Sequence, residues 1–77
     1  MKIRLQLLKK NVVIQDEVEA DTDAVPRMGE AILTNPFIRT RFRTLKTHLR
    51  VVDVRYEHKD GRLSPMVVCE ERADTIR

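Results

Sequence analysis

The chain has no tryptophan, one cysteine and two glycines in 77 residues, and only three aromatic side chains, Phe37, Phe42 and Tyr56. Each scarcity excludes something. A single cysteine, Cys69, rules out an intramolecular disulfide framework and any zinc ribbon or finger, and it suits a reducing compartment. Two isolated glycines, Gly29 and Gly61, cannot build a phosphate-cradling loop. With so few aromatics, aliphatic side chains are expected to fill the interior. No long apolar run is present: MKIRLQLLKK carries polar residues at alternate positions, so it reads as neither signal peptide nor membrane anchor, and a cytoplasmic protein is expected. A chain this short forms one domain with a marginal core, since it buries only about 60% of its unfolded surface. Residues 1–71 are expected to form that domain, and the polar residues 72–77 to fray.

Acid is also missing where base is plentiful. The net charge of +3 conceals a separation: residues 11–30 hold six carboxylates against Arg27, whereas residues 31–52 hold Arg39, Arg41, Arg43, Lys46 and Arg50 and no acid. Such a layout attracts an anionic ligand or pairs with itself, within the fold or between copies.

The regular patterns are those of strands. In residues 2–8, Ile3, Leu5 and Leu7 alternate with Lys2, Arg4 and Gln6, the period of a half-buried strand. A two-residue turn at Lys10 and Asn11 would set Leu7 against Ile14 and Ile3 against Val18 inside, and Arg4 against Glu17 and Lys2 against Glu19 outside. Asp16 then points inward opposite Leu5, which predicts a bulge, a barrel rim or a functional exception, the bulge being the commoner cause. Farther on, Asp60-Gly61 is a strong type I′ turn signal. Counting outward from it pairs Tyr56 with Pro65, Val54 with Val67 and Val52 with Cys69 on a core face. The opposite face carries Asp53, Arg55 and Glu57 across from Met66 and Val68, which are too apolar for a purely solvated surface. Met66, Val68 and Arg55 are therefore a candidate face for a homodimer.

Pro26 and Gly29 predict a turn, and Ala31 to Leu33 a short strand after it. The run V-P-R-M-G-E, a short apolar strand and the later R-V-V-D-V-R-Y strand together resemble small SH3-like β-barrel domains of uncharacterised bacterial and phage proteins. That resemblance implies a mainly β fold, either a small barrel or a strongly bent five-stranded antiparallel sheet. Such scaffolds serve nucleic-acid binding, peptide binding and assembly alike.

The basic segment is the candidate site. As a strand it would put Arg39, Arg41 and Arg43 on one face. As a helix it stacks Ile38, Phe42, Leu45 and Leu49 into an apolar stripe. Asn35 followed by Pro36 favours a short inserted helix over about 36–48, because Asn is a preferred N-cap and Pro a preferred first residue. Arg39, Arg43, Lys46 and Arg50 then form a ridge, with Arg41 nearby. The expected function is a non-catalytic interaction module that meets an acidic protein surface or nucleic acid with this ridge. The alternative is a structural, homo-oligomeric assembly component of phage or mobile-element type. Scarce aromatics and the acidic segment weigh against nucleic acid.

No cofactor, metal or membrane partner is expected. Cys69 lies about 20 Å from His58 and on the order of 13 Å from His48 at strand spacing, out of hydrogen-bond reach for a nucleophile and its base. Asp53 and Glu57 straddle Arg55 as a charge ladder, and Arg27 is an exposed turn residue. The reading is therefore that of a protein without enzymatic activity.

Overall fold

A computed structural model of the chain describes residues 1–10, 12–13 and 17–71. Strict alternation makes β1 (Lys2–Lys9) a strand whose Ile3, Leu5 and Leu7 are buried. It is followed by β2 (Val12–Val13) and β3 (Val18–Asp21), both antiparallel to β1. The register next to the turn is the expected one, with Leu8 opposite Val13 and Lys9 opposite Val12. At β3 it has moved on by two residues, so Leu5 faces Val18 and Arg4 faces Glu19 rather than Glu17. A shift of two preserves the side-chain parity, so Val18 still enters the core. The expected inward Asp16 and the Leu7–Ile14 pair lie outside the described residues, as does the tail 72–77.

A turn closed by the Glu30 N–H on the Arg27 carbonyl, 3.1 Å, leads into β4 (Ala31–Leu33). Gly29 has φ 90°, which a side chain would strain. Next comes α1 (Pro36–Phe42). Its N-terminus is built as expected: the Asn35 side chain accepts from the Ile38 N–H at 2.8 Å, and Pro36 opens the helix. Its end is a correction to the range 36–48. Arg43 turns left-handed, φ 54° and ψ 42°. The Thr44 N–H then reaches the Arg39 carbonyl at 3.0 Å and the Arg43 N–H the Thr40 carbonyl at 3.3 Å, the paired bonds of a Schellman ending. The apolar stripe is cut accordingly: Ile38 and Phe42 are buried, but Leu45 is 93% exposed in the loop and Leu49 enters the core from the next strand.

That strand is β5 (His48–Lys59), which forms a hairpin with β6 (Arg62–Glu71). Asp60 and Gly61 have φ 54° and 77°, as a type I′ turn requires. Tyr56 faces Pro65 and Val54 faces Val67, as counted from the turn. Beyond Asp53, however, a bulge makes Val51, not Val52, the partner of Cys69. The extra residue re-phases the strand, so that Leu49 and Val51 point inward.

The strands form one open sheet in the order β2-β1-β6-β5-β4, with β3 also on β1. The β1–β6 ladder is parallel, so the sheet is not wholly antiparallel as expected. The described residues are mainly β with one short helix. Helix α1 lays Ile38 and Phe42 on the face made by Ile3, Leu5, Leu7, Val18, Leu49, Val51, Val67 and Cys69. Phe42, fully buried, is the one aromatic in an otherwise aliphatic core. At about 25 cal/mol per Å² of apolar surface, burying such a ring contributes some 2–3 kcal/mol. For a helix of seven residues, too short to persist alone, packing of this kind must supply most of the stability.

Candidate functional site

The predicted ridge is not assembled, because the helix ends before its last two members. Arg50 lies on β5, opposite Glu70, and its guanidinium is paired with that carboxylate. Arg41 turns toward β3, donating to the Glu17 carbonyl at 3.3 Å with its guanidinium 5.9 Å from the centre of the exposed Phe37 ring. Arg39 is half-buried and donates to the carbonyl and hydroxyl of Thr34 at 3.2 and 3.1 Å. Arg43 and Lys46 both lie in the segment after the helix. Among the described residues, Arg39, Arg41, Arg43 and Lys46 form no ion pair.

Cations from two parts of the chain approach one another here instead. The Lys9 ammonium, at the end of β1, donates to the Arg43 carbonyl at 3.4 Å, which brings the Lys9-Lys10 turn beside the end of α1. Pro36, Arg39, Thr40, Arg43, Thr44 and Leu45 line a shallow groove of about 450 Å³ here. The loop is held by Thr44, the one buried polar residue among those described. Its hydroxyl donates to Glu71 and accepts from the Lys46 N–H at 3.2 Å, while the Thr34 hydroxyl donates to the Lys46 carbonyl at 2.9 Å. Glu71, 3.9 Å from the Lys9 ammonium, is thus committed to Thr44 and Lys9 at the base of this end. Sequence reasoning missed Lys9, Thr44 and Glu71 as neighbours of this segment. The parallel β1–β6 ladder that gathers them joins the two ends of the chain, and no local pattern announces it.

Two of these cations sit where a side chain is disfavoured. Lys10 and Arg43 have φ 52° and 54°, and the only other described non-glycine residue with positive φ is Asp60 in the hairpin turn. A residue other than Gly, Asn or Asp pays roughly 1 kcal/mol for that conformation.

The candidate oligomer face is covered within the chain. Met66 and Val68 are 5% and 3% exposed. They lie between Arg4 and Gln6 on β1 and Arg55 and Asp53 on β5. Arg4 contacts both Glu17, at 3.5 Å, and Glu57, and Gln6 donates to Glu17 at 3.2 Å. Arg4 and Gln6 on one side and Arg55 and Asp53 on the other thus flank the two side chains within the sheet. The bond to Glu57 also raises the pKa of Arg4, so the guanidinium stays charged although its Nε is buried without a partner. Arg55 itself is exposed and donates to Asp53 at 2.7 Å.

Cys69 is buried, and burial pushes its thiol from an ordinary 9.0 to about 12. Among the described residues no three His, Cys, Asp or Glu side chains cluster as metal ligands, and no helix is long and apolar enough to cross a membrane. The chain matches no protein-family model, no curated protein and no solved structure.

Proposed function

We propose that this protein is a non-catalytic interaction domain whose contact surface is the basic end formed by Lys9, Lys10, Arg39, Arg43 and Lys46, and that its partner is an acidic protein segment. The observation that carries this reading is the placement of Lys10 and Arg43 in left-handed conformations. Glycine would terminate both elements at less cost, so a long cation at each position is an expense in stability that a binding surface explains. Leu45, 93% exposed beside Arg43, adds an apolar contact that a peptide side chain would cover. Acidic protein is preferred to nucleic acid because the groove offers Pro36 and Leu45 rather than an aromatic platform for bases. A kinship with small SH3-like domains, which the V-P-R-M-G-E segment suggests, would accord with a binding role, and a single buried thiol accords with a cytoplasmic setting.

The test uses two fluorescent probes of equal charge, a peptide alternating Glu with Leu and a single-stranded DNA. The protein should retain the peptide at low salt, and reversing both Arg39→Glu and Arg43→Glu should weaken retention at least tenfold. Leu45→Asp should weaken the peptide more than the DNA. Peptide retention that ignores the double reversal would discard the reading, and DNA bound in preference, with a steep salt slope, would replace it with nucleic acid.

A further inference from the structure

The β5–β6 hairpin outruns its neighbours. On one side β4 reaches β5 only as far as Val51, whose N–H and carbonyl bond Glu30 and Gly29. On the other, β1 covers β6 only from Met66 onward. Among the described residues, β5 from Asp53 to Lys59 therefore has β6 along one edge and no strand along the other. Proteins usually blunt such an edge with charged side chains, lysine above all, or with proline, and like charges repel a second copy. Here the charges alternate instead.

Backbone parity follows from the turn. Lys59 and Arg62 close a two-residue loop, so they form a hydrogen-bonded pair, and every second residue does likewise. Asp53, Arg55, Glu57 and Lys59 thus spend their N–H and carbonyl groups on β6. Val54, Tyr56 and His58 aim theirs at the open edge. On the sheet face that carries Met66 and Val68, the run Asp53, Arg55, Glu57, Lys59 reads minus, plus, minus, plus, and it inverts in sign about Tyr56.

We infer that a second copy of this chain occupies that edge, with the two β5 strands antiparallel and Tyr56 facing its own equivalent. In this register the outward backbone groups of Val54, Tyr56 and His58 complete a ladder. Arg55 stands opposite Glu57 of the second copy, and Asp53 opposite Lys59, each twice by symmetry. The exposed Tyr56 rings meet on the other face, where Pro65 stands opposite Tyr56 on β6 and the exposed Leu63, opposite His58, lies diagonally from it. Neighbouring registers are refused by charge. Centring on Arg55 sets it against itself and Asp53 against Glu57, while centring on Glu57 sets Arg55 against Lys59. The side chains of Asp53, Arg55 and Glu57 are 42%, 64% and 55% exposed, so their present bonds within the chain leave them open to a second partner. This seam is separate from the basic end, and it does not depend on what that end binds.

The full chain is examined by sedimentation equilibrium from micromolar to millimolar concentration, alongside Arg55→Glu and Glu57→Arg. The wild type should be in monomer–dimer equilibrium, and each single variant, which now opposes like charges twice, should dissociate at least tenfold more readily. Mixing the two variants should restore association, because each supplies the charge that the other lacks, and restoration also shows that both are folded. A wild type monomeric at millimolar concentration, single variants that dimerise unchanged, or a mixture that stays dissociated would each overturn the inference.

Discussion

Cys69 offers a measurement of core integrity that depends on sign as well as size. Its thiol is fully buried on β6, with Val51 of β5 beside it, and burial raises its pKa from 9.0 to about 12. Folding therefore holds a proton that the unfolded chain releases above pH 9. The contribution is fully present below the unfolded pKa and is lost as pH climbs toward the folded one. In that window stability falls by about 1.4 kcal/mol per pH unit, so about 2–3 kcal/mol should be gone at pH 11. A domain of this size has roughly 4–12 kcal/mol in all, so the loss is large enough to resolve. The assay is urea denaturation at several pH values from 7.5 to 11, for the wild type and Cys69→Ala. The substitution should cost about 1 kcal/mol at neutral pH through lost packing. The gap between the two proteins should narrow above pH 9 and reverse near pH 10, since every other group is common to both. Parallel curves up to pH 11 would refute the account of a buried neutral thiol. Alkylation at pH 8 gives a second readout, since the wild-type thiol should react only on unfolding.

Two further predictions concern α1 and its ends. Asn35→Ala removes the acceptor for the Ile38 N–H and should lower stability by about 0.5–2 kcal/mol in chemical denaturation, with helix signal lost first. Arg43→Gly should raise stability by up to about 1 kcal/mol, because glycine takes the left-handed φ freely, and yet weaken capture of the acidic peptide. A variant that loses stability, or that keeps full capture, would contradict the view that Arg43 is retained for contact.

Local chemistry was legible in the sequence and phase was not. Asp60-Gly61 and Asn35-Pro36 each name a backbone geometry directly, so the hairpin turn and the helix start fall where they were expected. Adjacent Val51 and Val52 are interchangeable as strand residues, and nothing in their type says which is the bulge. The end of α1 was hidden because Arg43 fills a position that glycine usually marks. In the first hairpin the two-residue slip keeps Val18 on its expected inner face, so the pattern is blind to it. The candidate site suffered most, since it depends on both phase and long-range pairing. Arg50 met Glu70 through the β5–β6 register, and Arg43 met Lys9 through the parallel β1–β6 ladder.

The two proposed surfaces constrain one another through the direction of the strands. Because β1 and β6 run parallel, the end of β1 at Lys9, the end of β6 at Glu71 and the start of β5 at His48 share one end of the sheet, with the Asp60-Gly61 turn at the other. The basic groove thus caps the end remote from the hairpin seam. A dimer joined at Tyr56 would carry its two grooves outward in opposite directions. At about 3.3 Å per residue, the eight steps from His48 to Tyr56 in each copy place them on the order of 50 Å apart. One short acidic peptide could not bridge that span, so association and capture should be thermodynamically independent for a monovalent probe. A partner repeating its acidic segment at that spacing would instead gain avidity from both grooves, and only while the seam holds. The charge-swapped single variants separate these cases: they should bind the single peptide as the wild type does and lose the advantage of the paired one.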